Sequence, residues 1–434
     1  VKPGTALDKE AHSRGTSVYF PERAFHMLPR ELSENLCSLR PNEPRLAFVS
    51  KCLITPHGEI KDTILYEAVI ESKRRATYNE IQEEWLNHKN NKNWEYTPHF
   101  ELYDILRRTR KKKGSLDFDL PEVEVFCSPE GEPEKIFHRE RLESHRLIEQ
   151  FMITANEAVT EWILKFKWPF IYRVHEEPSE QALTKFHELA ESMGVSFSLD
   201  AAIQSPLTLA EVIEDLEGHP AQLLLNMALL RSMRQAVYTA VHGIHFGLAS
   251  KAYTHFTSPI RRYPDLVVHR MLRQVLRIQH KKEKIPSSKE MSALQKDLES
   301  TAEHCSYRER LATEADREAI KLKQVRMMRK HLGDEFLGKV IGMVERGIFV
   351  QIQDPFVEGF VSRESMGDDF YIYNPDQMIF YGRRSKRTFR IGDPVKIQVA
   401  RADLDRREID FILINEKQVG KSDSLRSSQA IETI

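Results

Sequence analysis

Apolar positions along the chain change their period twice, and the three segments that result predict three kinds of structure. In the first hundred residues short apolar runs alternate with turn signals. Leu46-Ala-Phe-Val49 and Cys52-Leu-Ile54 read as a strand, Pro56-His-Gly-Glu59 as a hairpin turn, and Ile64 to Ile70 as the partner strand, so an antiparallel sheet is expected. From about Leu142 the period becomes helical: Leu147, Ile148, Phe151, Met152, Ala155, Val159, Trp162 and Ile163 trace one face. Thr208-Leu-Ala-Glu211 reads as a capping box before Val212, and 221–237 as a helix apolar on most sides and therefore buried. Leu266, Val267, His269, Met271, Leu272, Val275 and Leu276 recur at helical spacing behind Pro264 and Asp265, which suit a first turn.

Around Gly333 the pattern changes again. Phe336 to Val344, Ile348 to Ile352, Val357 to Val361, Asp393 to Arg401 and Ile409 to Leu413 are short strands separated by glycine turns and a longer loop, and five strands in about eighty residues predict a small closed barrel. Alternation puts Ile348, Val350 and Ile352 on one face and Phe349 with Gln351 on the other. An aromatic on the polar face suits base stacking, or covers a barrel end.

Composition narrows the chemistry. Of 434 residues 41% are hydrophobic, enough for packed cores in two to three domains. With 64 basic against 65 acidic side chains the net charge is −1, so any nucleic-acid surface must be a local patch. Candidate patches are Arg107-Arg-Thr-Arg-Lys-Lys-Lys113 and Arg383-Arg-Ser-Lys-Arg387 with Arg390, which either track phosphates or form solvated loops. Cys37, Cys52, Cys127 and Cys305 are too scattered for a zinc ribbon or a disulfide framework, which fits a reducing compartment. No apolar run reaches membrane-spanning length, and a cytoplasmic, monomeric protein is expected. Chemistry is most concentrated in His255-Phe-Thr-Ser-Pro-Ile-Arg-Arg-Tyr-Pro-Asp265. Arg261 and Arg262 stand at the opening of a predicted helix, whose unpaired N–H groups already favour an anion; surface ion pairing is the alternative.

Together with Met27-Leu-Pro-Arg-Glu-Leu-Ser33, Leu36-Cys-Ser-Leu39 and Glu149-Gln-Phe-Met-Ile-Thr-Ala-Asn156, that motif resembles the catalytic RNB domain of the ribonuclease II and ribonuclease R family. The barrel resembles the S-one RNA-binding domain that follows it there. Arg390-Ile-Gly-Asp-Pro-Val395 and 402–411 favour the ribonuclease R branch. The expected fold is α+β: a partial RNB-type α/β domain (antiparallel sheet, then helices) over 1–331, truncated at its amino-terminal end, then a five-stranded OB-fold barrel over 332–415. Residues 416–434 are expected to form a polar, disordered tail.

The resemblance implies a processive 3′→5′ exoribonuclease that hydrolyses single-stranded RNA, and structured RNA with a 3′ overhang, using magnesium. Its metal-holding aspartates are expected upstream of Val1; Asp117-Phe-Asp119 and Gly367-Asp-Asp369 are the nearest imitations within the chain. By the same resemblance Arg261 is the catalytic arginine and Glu314 an acid near it. Tyr19 and Tyr78 pack along the RNA path, Glu149 lies near the terminal ribose, and Arg262, Tyr263, Phe336 and Phe349 belong to the RNA-binding surface. Three forms of such a protein remain open: a truncated enzyme, a non-catalytic RNA-binding protein, and a split enzyme completed in trans by an amino-terminal half.

Overall fold

In the computed structural model, described here for residues 1–367, 369–375 and 377–414, the amino-terminal part combines short hairpins with helices. Helix α1 (Ala6–Arg14) leads into hairpin β1–β2 (Val18–Phe20, Arg23–Phe25) and the long hairpin β3–β4 (Pro44–Ile54, Ile60–Glu71). Helices α2 (Tyr78–His88) and α3 (Thr97–Lys113), hairpin β5–β6 (Glu122–Cys127, Pro133–Arg139) and helix α4 (Glu143–Leu164) follow. Next come β7 (Tyr172–Val174), α5 (Glu180–Ser192), α6 (Leu199–Gln204), α7 (Pro206–Asp215), α8 (Gln222–Ser232) and β8 (Val237–Thr239). Helices α9 (Tyr263–Gln279) and α10 (Ser288–Arg329) complete this part.

The core that positions the site forms where α4, α9 and α10 meet β7 and β8. Val159, Ile163, Phe170, Ile171, Val268, Leu272 and Ala302 are fully buried there. Helix α9 has the strongest two-faced pattern of the set: Val267, Val268, Met271, Leu272 and Val275 face inward and Arg273 and Arg277 outward. Gly15 ends α1 at φ 69°, where a Cβ would lie 2.6 Å from Arg308 Cβ. That close approach delivers Thr16 and Ser17 to the backbone ahead of α9, where Ser17 N–H donates to the Arg261 carbonyl at 2.9 Å.

Two expected helix limits shift. Helix α7 opens at Pro206 with Ser205 as its cap, its hydroxyl accepting from Leu207 N–H at 3.2 Å, so the box at Thr208 is not used. Proline at the first position and a serine just before it give the earlier start the better cap. Helix α8 stops at Ser232, and only Leu225, Asn226 and Leu229 are buried. Val237–Thr239 instead pairs as a strand with β7.

The barrel closes in the order β10 (Gly347–Gln353), β11 (Phe356–Ser362), β16 (Glu408–Leu413), β15 (Pro394–Asp403), β9 (Glu335–Val344). Its five strands are those expected, around Val340, Ile348, Val350, Ile352, Val361, Ile397 and Phe411. Between β11 and β15 lies a three-stranded sheet, β12 (Tyr371–Asn374), β13 (Ile379–Gly382) and β14 (Thr388–Arg390), that the apolar pattern does not announce. Helix α10, at 42 residues about 63 Å long, runs from the amino-terminal core to the barrel. The polar tail after Ile414 and Asp368 lie outside the described residues. Among the described residues no helix is long and apolar enough to cross a membrane.

Candidate nucleic-acid site

The loop 249–262 is held from several sides before it enters α9. Asn156, at the end of the Glu149–Asn156 motif, accepts from Phe256 N–H at 3.0 Å and donates to the Tyr253 hydroxyl at 2.9 Å. Thr254 Oγ1 donates to the Ile171 carbonyl at 2.6 Å, and His269 Nε2 pairs with the Phe256 carbonyl at 2.8 Å. Two motifs a hundred residues apart in sequence are thus one hydrogen-bonded unit.

At the end of that loop the two arginines part company. Arg262 turns inward: its Nη2 donates to Asp265 Oδ1 at 2.7 Å, and the same oxygen accepts from Ser258 N–H at 2.7 Å. Asp265 is fully buried. Arg261 is exposed, and its side chain makes no hydrogen bond or ion pair among the described residues. A full positive charge is therefore left unpaired at the mouth of a helix.

Above Arg262 lies a cavity of about 400 Å³ lined by Tyr78, Glu149, Met152, Asn156, Arg173, His245, Tyr253, His255 and Arg262. It joins three of the residues expected from sequence, Tyr78, Glu149 and Arg262. Tyr78 is 43% exposed, its ring centroid 4.1 Å from that of His145 with the planes tilted by 33°. Glu149 is not part of a helical i,i+4 pair; Arg141 reaches it at 2.7 Å from the preceding loop. Arg173 has no counterpart among the expected residues. It pairs with Glu309 at 2.5 Å and lies 4.5 Å over the Tyr238 ring, which fixes a second guanidinium in the cavity wall.

The imidazoles here are held neutral. Burial pushes His245 down to about 3, helped by His175 and Arg173. Burial also holds His255 well below its ordinary value, and Arg262, Arg173, His245 and Arg261 add to the effect. His175 is lowered too, chiefly by burial. All three shifts are downward, so their contribution to stability is complete above about pH 6.5 and drains away as pH falls from there toward 3. Each adds up to ~1.4 kcal/mol per pH unit of acid destabilisation within its window. Urea denaturation between pH 8 and 5 checks this: stability should fall measurably below pH 6.5, and a flat profile contradicts the assignment.

Other expected residues fall elsewhere. Tyr263 is buried, its hydroxyl donating to Asp8 Oδ1 at 2.9 Å, so it ties α1 to α9 and offers no ring to RNA. Arg270 joins the same carboxylate, which burial would raise but which these hydrogen bonds hold below its ordinary value. Tyr19, on β1, is 49% exposed and does not line the cavity. Glu314 is exposed on α10 with no ion pair among the described residues; the acid of that helix that reaches the site is Glu309. Of the acidic imitations, Asp117 pairs with Arg141 and Arg146, and Asp369 caps a turn through the N–H groups of Phe370, Arg384 and Ser385. Among the described residues no group of three His, Cys, Asp or Glu is placed to hold a metal ion.

On the barrel Phe349 faces outward, 5.1 Å from Phe360, and lines a crevice of about 670 Å³ with Phe186, Arg231 and Met343. Phe336 is on the other face. A bulge puts Phe349 opposite Gly342 but Val350 opposite Val340, so the register that aims Phe349 out aims Phe336 inward with Val340. It packs on the barrel core, and the two rings cannot form one platform. The basic run 107–113 is not a loop: it ends α3, with Arg110 buried against Glu157 at 2.8 Å and Lys111 paired with Glu214.

An arginine-walled cavity under a helix opening, joined by one long helix to a closed five-stranded barrel, defines a two-part fold suited to a polyanion. A model of the RNB domain matches residues 1–278, and one of the S1 RNA binding domain matches 329–413. The chain belongs to the RNB family. It is 41% identical over 420 residues to ribonuclease R of Aquifex aeolicus, covering 95% of this chain and 58% of that protein. It is 34% identical over 433 residues to ribonuclease R of Escherichia coli, covering 97% and 53%. The chain thus spans little more than half the length of these relatives. Mycoplasma genitalium RNase R in complex with ribose methylated single-stranded RNA superimposes with a TM-score of 0.85 at 29% identity, over 95% of this chain and 65% of that one. The same enzyme with double-stranded RNA gives 0.81 at 27% identity, over 95% and 68%.

Proposed function

We propose that the chain is the RNA-gripping part of a 3′→5′ exoribonuclease of the ribonuclease R type. The carrying observation is the split pair: Arg262 lines the cavity and is locked on a buried carboxylate, while Arg261, the residue before it, is exposed with no side-chain partner among the described residues. A planar, always-charged guanidinium with no partner suits charge building up on a phosphate. Tyr78 and Glu149 line the same cavity and suit the terminal nucleotide. Magnesium belongs to this reading as the family's metal, its ligands are expected upstream of Val1, and no step is assigned to it. Purified as this chain, the protein should bind single-stranded RNA and release no detectable nucleoside monophosphate in millimolar magnesium. Robust release that survives repurification would overturn the expectation. A non-catalytic RNA-binding protein is the second reading, and the same release assay on the longer protein decides between the two.

In this reading the barrel contributes stacking and the β13–β14 loop contributes charge. Phe349→Ala should weaken single-stranded RNA binding by ~1–3 kcal/mol with an unchanged salt slope. Replacing Arg383, Arg384, Lys386 and Arg387 together should flatten the slope of log affinity against log salt by ~0.7 for each phosphate that is no longer neutralised. Titrations at four salt concentrations decide; a folded Phe349→Ala protein with unchanged affinity returns that ring to packing.

A further inference from the structure

His255 differs from the other imidazoles of the cavity in how its two nitrogens are used. Its Nδ1 is 2.7 Å from the Tyr238 hydroxyl, and its Nε2 has no partner among the described residues although the side chain lines the cavity. Tyr238 is buried, with no cationic hydrogen-bond partner of its own hydroxyl, and burial raises its pKa far above the ordinary phenol value. The phenol therefore keeps its proton, and because its hydroxyl has no other hydrogen-bond partner among the described residues, donation to Nδ1 is the arrangement that satisfies that buried proton. With the imidazole neutral, the only proton left on the ring is on Nε2.

We infer that Tyr238 locks His255 in its Nε2–H tautomer, and that this N–H is a neutral donor to a non-bridging phosphate oxygen of the RNA held between Arg261 and the cavity. The inference rests on the proposed RNA-gripping role and deepens it: His255 touches the ligand, while Tyr238 acts only as a positioning residue. Chemistry favours a phosphate oxygen over a ribose hydroxyl here. His255 shares its wall with Arg262 and Arg173, whereas Tyr78 and Glu149, the groups suited to a sugar, line the cavity from α2 and α4. A cationic histidine would compete with the arginines for the anion's charge and repel them; a neutral one adds direction without adding charge.

Two measurements separate this inference from the reading beneath it. Nitrogen-15 NMR of the ligand-free protein should show His255 as the Nε2–H tautomer at pH 7, and in Tyr238→Phe as a mixture. This readout does not depend on RNA. Binding of a single-stranded RNA oligonucleotide is then compared with that of the same oligonucleotide carrying one methylphosphonate at each of its last four linkages. If the unaltered protein does not bind the oligonucleotide, the RNA-gripping role itself fails, whatever the tautomer. If it binds, His255→Phe should lose about ten- to a hundredfold in affinity, and at one linkage the methylphosphonate should cost the unaltered protein affinity but cost His255→Phe almost none. His255→Gln, which keeps a donor, should recover most of the loss, and Tyr238→Phe should lose severalfold although its side chain does not touch RNA. A Nδ1–H tautomer, or a full methylphosphonate penalty at every linkage in His255→Phe, overturns the inference. A loss seen with RNA but absent with DNA of the same sequence overturns the assignment to phosphate. Should His255→Phe fail to fold, His255→Gln and Tyr238→Phe carry the same comparison.

Discussion

Arg261→Lys in an enzyme of this family that carries its metal ligands is expected to lower turnover roughly 10³-fold while leaving RNA affinity within about threefold. The asymmetry follows from where the side chain stands. Arg261 is exposed and commits its guanidinium to no residue of the described protein, so nothing in the fold depends on it. Its geometry, not only its charge, is at stake, because lysine offers one point charge where arginine offers a planar pair of donors. Single-turnover kinetics with a binding isotherm on the same oligonucleotide separates the two effects. Equal losses in both would reduce Arg261 to a tether for the backbone.

Asp265→Ala is expected to destabilise the fold by ~3–5 kcal/mol, the largest stability effect of any single change at the site. One fully buried carboxylate oxygen accepts from both Arg262 Nη2 and Ser258 N–H, at 2.7 Å each. Removing it strands a buried guanidinium and a backbone N–H together. Burial alone would lower the pKa of Arg262; the Asp265 carboxylate beside it keeps the cation tolerable in the core and the guanidinium above its ordinary value. Asp265→Asn, which keeps an acceptor but loses the charge, should cost less than the alanine. Urea unfolding of the three proteins measures the series, and an alanine cost under about 1 kcal/mol would mean that Arg262 finds another partner.

The parts of this structure that repeat a short-range pattern could be read from the chain. Long hairpin β3–β4, helices α4 and α9 and all five barrel strands follow from period and punctuation, because each buries one face and turns at glycine or proline. The inserted sheet β12–β14 could not, since Tyr371–Asn374 and Thr388–Arg390 are too short and too polar to show alternation. The resemblance to the ribonuclease family named Tyr78, Glu149 and Arg262, which the fold brings into one cavity. The residues alone, without that resemblance, do not tell Arg261 from Arg262, because which of two adjacent arginines turns inward is decided by Asp265, three residues on, and by the bridge from Thr16 to Arg262. Arg173 and Glu309, 136 residues apart, meet only through tertiary packing and leave no local signal. Tyr263 and Phe336 went the other way. Each sits at a position that suits recognition in sequence, and burial against α1 in one case and a bulge in β9 in the other turn them inward.

The central claim is that the 3′ end of RNA enters the cavity between Tyr78, His255 and Arg262. A single-stranded RNA with 4-thiouridine as its last nucleotide, bound to this chain and irradiated, tests it most directly. The account predicts crosslinks to peptides holding Tyr78, 145–156 or 245–262, which disappear when the thiouridine is moved to the 5′ end. Crosslinks confined to the barrel, or the same peptides from either end of the RNA, would contradict it.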